Sequence, residues 1–334
     1  MDQSPLAPSD IQRRRLLQVA GLGIAVASIG QPALASASVQ HVASVALDRD
    51  VVRVAAVQSH PVADIAANLE SLLGAIDRMQ TQASKKDLIV FHAAALHSIA
   101  PRDLADAKKA AIRMNDPIVT AIGFKAMQHR VYISFSAYTT DVAWPDAIIP
   151  RQFLIGPDGK IALAAWQATH DETRPFLASV ERMLERYVEL YGRDAVLPVV
   201  RTNIGNIALA SAQGAPEIYR ALALKDAEII IRAENAAPAR WDVQASAAYN
   251  SCFTIAAASA VALHAAHNED VSTFHGGGSV VVGPSGETLA EAGSQWEQTI
   301  AANLPIAHAR AKRSTLQTHS AMILPIYARH LTLA

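Results

Sequence analysis

The fold class of this chain is decided by residues 51–91, which read VVRVAAVQSHPVADIAANLESLLGAIDRMQTQASKKDLIVF. The stretch begins with Val51–Gln58, a β-branched, apolar run typical of a buried strand. A helix is predicted to open at Asp64, because apolar residues then recur every three or four positions up to Met79 and so share one helical face. A second buried strand is predicted at Leu88–Phe91. A strand, a helix and a second strand in this order indicate an α/β protein.

The same alternation continues along the chain and includes two hairpins. The Asp158-Gly159 pair suits a tight turn between two strands, and a similar device recurs around Pro284-Ser285-Gly286. Further helices are predicted at Asp103–Gln128, Phe176–Tyr191, Pro216–Leu224 and Trp241–Asn250; further strands are predicted at Val131–Tyr138, Arg151–Gly156, Lys160–Trp166, Val196–Thr202, Asn206–Ala210, Glu228–Arg232, Phe253–Ala258, Ser279–Gly283 and Glu287–Glu291. We therefore predict one domain over residues 51–314, followed by a C-terminal arm, residues 315–334, that packs on a partner subunit.

The N-terminal residues 1–37 have the pattern of an export signal. Three arginines, Arg13–Arg15, precede about fifteen mostly apolar residues, fewer than the ~20 that span a bilayer. Small-residue cleavage patterns follow, which predict processing after Ala35 or Ala37. The paired arginines resemble a twin-arginine signal, which implies export of an already folded protein. We therefore expect a periplasmic or secreted protein.

Composition excludes several classes of partner. Apolar residues make up 51% of the chain and charged residues only 18%, which indicates a globular core and not disorder. The net charge of −1 argues against binding to nucleic acid or to anionic lipid. After the leader no apolar run is long enough for a stable membrane anchor. The single cysteine, Cys252, allows neither an intrachain disulfide nor a Cys-rich zinc site, which fits folding in a reducing cytoplasm before export.

Several local strings occur in an order that connects this chain to a known family. They are Val54-Ala55-Ala56-Val57-Gln58, Asn68-Leu69, Asp87-Leu88-Ile89-Val90-Phe91, Ile155-Gly156-Pro157-Asp158-Gly159-Lys160, Pro216-Glu217-Ile218-Tyr219-Arg220-Ala221-Leu222 and Gly283-Pro284-Ser285-Gly286-Glu287. In this order they resemble the nitrilase superfamily of carbon–nitrogen hydrolases. The resemblance implies a four-layer αββα sandwich, amide or nitrile substrates, and a homodimer in which two sandwiches stack.

The family's reactive residues are replaced at the positions that match its motifs. Family chemistry uses a Glu as general base, a Lys that stabilises negative charge and a Cys nucleophile. The matching positions are Ala93 for the Glu and Ala168 for the Lys; for the Cys, the match is Ala210 or one of its neighbours Leu209 and Ser211. Alanines at these positions predict an inactive centre and an apolar, neutral pocket suited to a small uncharged molecule.

Nearby residues leave an alternative chemistry open. Ser211 is the nearest hydroxyl, with His92 or His170 as a base, and Glu217 is a further predicted neighbour of the pocket. Cys252 is interpreted as a buried core residue, because free cysteines are among the most buried side chains. His264 and His267 have the spacing of a metal site, but a solvated loop is favoured, and we predict no metal and no cofactor.

Three functions remain at this point. The first is a catalytically silent nitrilase-fold protein that binds a small ligand or pairs with a partner subunit. The second is an active amide or nitrile hydrolase that uses displaced residues. The third is a structural dimeric scaffold.

Overall fold

The computed structural model describes residues 45–97, 101, 103–260, 276–313, 322–323 and 325–327. The predicted leader (residues 1–37), the histidine pair at 264 and 267, and most of the predicted arm (residues 315–334) lie outside the described residues. Within the described part of the chain, no helix combines the length and apolar character needed to cross a bilayer.

The described strands form two sheets. The strands are β1 (Val52–Gln58), β2 (Leu88–Phe91), β3 (Ile112–Arg113), β4 (Tyr132–Asp141), β5 (Trp144–Ile155), β6 (Ile161–Trp166), β7 (Val199–Thr202), β8 (Gly205–Leu209), β9 (Ile229–Ala233), β10 (Phe253–Ala257), β11 (Val280–Val282), β12 (Thr288–Glu291) and β13 (Gln298–Leu304). The first sheet has the order β13-β1-β2-β4-β5-β6, with β3 paired to β4. The second has the order β12-β11-β10-β9-β8-β7.

The described helices cover the outer faces of these sheets. They are α1 (Ile65–Thr81), α2 (Leu104–Ala110), α3 (Pro117–His129), α4 (Leu184–Tyr191), α5 (Pro216–Leu224), α6 (Arg240–Asn250) and α7 (Ile306–Lys312). Helices α1 and α3 share a buried apolar cluster with the first sheet, and α5 and α6 pack on the second. The two inner sheet faces meet in a third cluster.

Alternation along β1 shows how the sequence produces these layers. Because side chains of a strand point alternately to its two faces, Val54 and Ala56 contact the opposite sheet, whereas Ala55 and Val57 join the cluster under α1. Both sets are apolar, so the strand is buried on both faces. The result is a helix–sheet–sheet–helix order, and the predicted four-layer α/β architecture is confirmed.

Two predicted helices have different bounds in the structure. The helix predicted over residues 103–128 is two helices, α2 and α3. The second begins anew at Pro117, whose ring suits the first helical position, and Asp116 caps it by accepting from the Ile118 N–H at 3.0 Å. The helix predicted from residue 176 begins only at Leu184, because Ala178 donates its N–H to the Ile148 carbonyl at 2.9 Å and so lies alongside β5.

Parallel pairing brings several strand ends to one edge. Strand β1 is parallel to β2 and β2 to β4, while β8, β9 and β10 are parallel in the second sheet. The carboxyl ends of the two sheets meet where the Ala93 N–H donates to the Glu234 carbonyl oxygen at 3.2 Å. In α/β sheets such carboxyl ends are the usual place for ligands.

Candidate functional site

A cavity of about 210 Å³ opens where the strands of the two sheets end. Its wall includes Ala93 after β2, Ala210 after β8 and Glu234 after β9. The backbone fixes these positions, since Ala210 donates its N–H to the Ile231 carbonyl at 3.0 Å. The cavity is therefore built from segments far apart in the sequence.

The structure brings together most of the residues predicted to mark the family's reactive positions. Ala93, Leu209, Ala210 and Ser211 all line this cavity. Ala168 is buried and does not line the cavity, whereas its sequence neighbour Gln167 does. The Ala168 carbonyl oxygen accepts from the Glu181 N–H at 3.0 Å. Among these wall residues, Ala93 and Ala210 carry only methyl side chains, Leu209 carries an apolar side chain and Ser211 carries a hydroxyl.

Ser211 is held in a way that does not activate it. Its Oγ donates to the Ala233 carbonyl oxygen at 2.6 Å. A hydroxyl becomes a useful nucleophile when a base accepts its proton. Here the proton is directed at a carbonyl oxygen, which does not take up a proton near neutral pH.

His92, His170 and Glu217, which were predicted to adjoin the pocket, do not line this cavity. His92 is fully buried with its Nε2 2.9 Å from the Ser59 Oγ, and burial lowers its pKa to about 3. His170 is half-buried, and its backbone N–H donates to the Glu181 Oε2 at 2.8 Å. Glu217 is exposed in the first turn of α5.

The wall is more polar than the sequence predicted. Arg151 lines it and donates from Nη2 to the Asp141 Oδ2 at 2.5 Å, while Arg174 pairs with Asp171 at 2.7 Å. Since these side chains reach the cavity from β5 and from the loop after β6, alanines at the motif positions do not make it apolar. The expectation of an apolar pocket is wrong.

His97 and Tyr138 form a neutral, aromatic part of the wall. Their rings meet edge to face, with centroids 5.3 Å apart. The His97 Nε2 lies 2.7 Å from the Ala110 carbonyl oxygen, and burial lowers the pKa of this imidazole to about 4. Burial also raises the pKa of the Tyr138 hydroxyl above its usual value. Both side chains are therefore uncharged near neutral pH.

Glu234 connects the cavity wall to a buried cluster of charged side chains that lies behind it. Arg232, with no exposed surface, donates from Nε to the Glu234 Oε1 at 2.9 Å and from Nη1 to the Asp242 Oδ2 at 2.9 Å. Its guanidinium also lies over the Tyr219 ring, 4.9 Å from the centroid. Sequence reasoning missed this cluster, since no local motif marks it; only the charges in an otherwise apolar strand stand out.

Cys252 lies in the core and away from the cavity. Its thiol has no exposed surface, and its Sγ lies 3.0 Å from the Ala227 carbonyl oxygen. Burial raises the pKa of the Cys252 thiol to about 11, so almost no reactive thiolate forms at neutral pH.

The described residues contain no second site that includes the predicted reactive positions. A second cavity, about 240 Å³, lies beside α1 and the start of β13, and none of the predicted reactive positions lines it. No group of three histidine, cysteine or acidic side chains in the described ranges is arranged to hold a metal ion.

Comparison with known proteins connects this geometry to a family. A family model described as carbon-nitrogen hydrolase matches residues 53–314. The fold is similar to that of Saccharomyces cerevisiae Nit3, described as a member of branch 10 of the nitrilase superfamily, at 17% identity and a TM-score of 0.65, covering 82% of this chain and 98% of that one. No curated protein matches the sequence.

The amidase from Nesterenkonia sp. AN1 has a similar fold in two further structures. A double mutant in complex with acrylamide aligns at 17% identity and a TM-score of 0.63, covering 85% of this chain and 99% of that one. Another mutant, which shows covalent addition of the acetamide moiety of fluoroacetamide at its active site cysteine, aligns at the same identity and TM-score and covers 85% and 100% of the two chains. At this identity the likeness shows the fold alone.

Proposed function

Since this chain belongs to the carbon–nitrogen hydrolase family, we propose that it is a catalytically silent member that binds a small molecule in the cavity at the strand ends. The observation that supports the proposal is that one cavity is lined by Ala93, which the resemblance matches to the family's base, and by Leu209, Ala210 and Ser211, among which the resemblance places the nucleophile. In a mutant of the Nesterenkonia amidase, the acetamide moiety of fluoroacetamide is covalently added at the active site cysteine. By resemblance, the matching position in this chain is Ala210 or one of its neighbours Leu209 and Ser211, and none of these is a cysteine.

The physical cost of these replacements supports inactivity. In a serine hydrolase, loss of the nucleophile alone lowers turnover by roughly a million-fold, and loss of its partners adds little. The hydroxyl at the matched nucleophile positions, that of Ser211, donates to a backbone carbonyl. Cys252 is buried and protonated. A cavity that lacks an activated nucleophile can bind a molecule without converting it.

An activity assay tests the silent state. Purified protein is incubated with a panel of aliphatic and aromatic amides and nitriles, and released ammonia is measured over days. We expect no release above the buffer rate. Turnover that disappears in Ser211→Ala and persists in the matched surface variant Ser71→Ala would establish an active hydrolase with displaced residues instead.

A binding assay tests the second half of the proposal. A ligand that binds the folded state raises the melting temperature with its concentration. Ala210→Leu places a larger side chain in the cavity and should therefore abolish that shift in melting temperature. Ser71→Leu, which narrows the second cavity, should preserve it. A flat response of the wild-type protein to all small polar molecules would favour a scaffold role.

Export and dimerisation complete the proposal. The leader in residues 1–37 would carry the folded protein to the periplasm, and two copies would form a homodimer. Cell fractionation of the wild-type chain and of a variant with Arg13 and Arg14 replaced by Lys tests export, since the variant should stay in the cytoplasm. Light scattering coupled to gel filtration tests the dimer, and a monomeric mass would refute it.

A further inference from the structure

We propose that the ligand of this cavity is a small zwitterion of the amino-acid type, with its carboxylate on Arg151 and its ammonium group against Glu234. This inference rests on the proposed function and adds the chemical class of the ligand. It follows from one unused donor, one partly used acceptor and the balance of charge between them.

The unused donor is the Nε–H of Arg151. This side chain lines the cavity, is 6% exposed, and directs Nη2 to Asp141. Its Nε is buried and has no hydrogen-bond partner among the described residues. A buried donor without an acceptor is destabilising, so the position favours a ligand oxygen. The Arg151 guanidinium also lies over the Trp166 ring, 5.6 Å from the centroid, which limits its freedom to turn away.

The partly used acceptor is the carboxylate of Glu234. Its Oε1 accepts from Arg232, while its Oε2 accepts no hydrogen bond from any described residue. Arg232 divides its single charge between Glu234 and Asp242, so it neutralises neither carboxylate fully. Glu234 therefore offers negative charge and a free oxygen to the cavity.

The overall charge around the cavity selects between ligand classes. The ion pairs in its wall and directly behind it combine the guanidinium groups of Arg151, Arg174 and Arg232 with four carboxylates, which leaves one negative charge. That excess disfavours a simple carboxylate, although the free Nε–H accommodates one. A simple amine would satisfy Glu234 and leave the Arg151 donor without a partner. A zwitterion satisfies both groups and adds no net charge.

Equilibrium binding of small molecules to the protein without its predicted leader, residues 1–37, tests this inference. The probes are the common amino acids and β-alanine. Each is compared with propionate, which carries only the negative group, with ethylamine, which carries only the positive group, and with propionamide, which carries no charge. Binding is followed by calorimetry and by the fluorescence of Trp166, with Trp166→Phe identifying its signal. We expect at least one amino acid to bind about tenfold or more tightly than all three comparison molecules, because each charged contact is worth that much.

Three variants separate the two contacts from a general effect on folding. Arg151→Lys keeps the cation beside Asp141 and loses the Nε–H, and Glu234→Gln keeps the size of the side chain and loses its charge. Each should weaken amino-acid binding about tenfold or more without changing the weaker binding of propionamide. Arg240→Lys alters an exposed ion pair with Glu291 and should change nothing. Circular dichroism checks that all three variants are folded.

The outcomes distinguish this inference from the function on which it rests. If propionamide binds as tightly as every amino acid, or if both variants keep wild-type affinity, the zwitterion assignment is overturned and the silent binding protein stands. If nothing binds, or if propionamide is hydrolysed, both are overturned.

Discussion

Mild acid should destabilise this protein through two buried histidines, His92 and His97. Neither imidazole is more than 8% exposed, and one nitrogen of each, Nδ1, is buried without a hydrogen-bond partner. Burial is the largest cause of their low pKa values, about 3 for His92 and about 4 for His97; hydrogen bonding to Ser59 and to Ala110 opposes it only in part. Both histidines are therefore neutral in the folded protein across the physiological range.

The sign and size of the effect follow from linkage. In the unfolded chain each imidazole has a pKa of 6.5, so it gains a proton below that pH while the folded form does not. The stabilisation is present above pH 6.5 and is lost as the pH falls toward the folded pKa values. Between pH 8 and pH 5.5, each histidine lowers the free energy of unfolding by about 1.4 kcal/mol, so the pair removes about 3 kcal/mol.

Urea denaturation at pH 8 and at pH 5.5, followed by tryptophan fluorescence, measures this difference. His92→Gln and His97→Gln should each lose about half of the pH dependence, and the double variant nearly all of it. Comparing the two pH values within each variant cancels any change in intrinsic stability. If the variants keep the full wild-type pH dependence, the protons bind elsewhere and the reasoning fails.

Further substitutions test the packing. Gly123→Ala should lower the free energy of unfolding by about 1–3 kcal/mol, because its Cβ would meet the backbone carbonyl oxygen of the β5–β6 turn at 2.6 Å. Gly74→Ala in α1 is the matched control; its Cβ would meet only a flexible side-chain end at 3.2 Å, and it should stabilise by up to about 1 kcal/mol. Arg232→Met should cost about 3–5 kcal/mol in urea denaturation, because it leaves two carboxylates without their shared cation. The Cys252 thiol should react with a disulfide reagent only as fast as the protein unfolds; reaction at the rate of free cysteine would contradict its burial.

The fold could be predicted largely from sequence because its strands and helices carry regular apolar patterns. Strand β2 and helix α5 agree closely with their predicted bounds. Strand β13 was missed, because its inward and outward positions alternate but only Ile300 and Leu304 are buried, and the two adjacent alanines, Ala301 and Ala302, hide the alternation in the sequence. The break between α2 and α3 was also missed, although Asp116 and Pro117 are a start signal for a new helix.

The site was predictable only where a motif marks it. Ala93 and Ala210 were located through neighbouring strings, and both line the cavity. Arg151 and Glu234 were not, because a charged residue in a strand has no local signature that tells which cavity it faces. Their relation depends on the packing of the first sheet, which contains β5, against the second sheet, which contains β9; this packing brings together residues 83 positions apart.

The pairing of β1 with β13 has a consequence for biosynthesis. Val52 pairs with Leu304 and Gln58 with Gln298, so the first strand of the described residues pairs with the last one, which is synthesised much later. Until then β1 has one open hydrogen-bonding edge, a surface on which partly made chains can associate. Truncations that end before residue 298 should therefore aggregate, because β1 keeps this open edge until β13 is present.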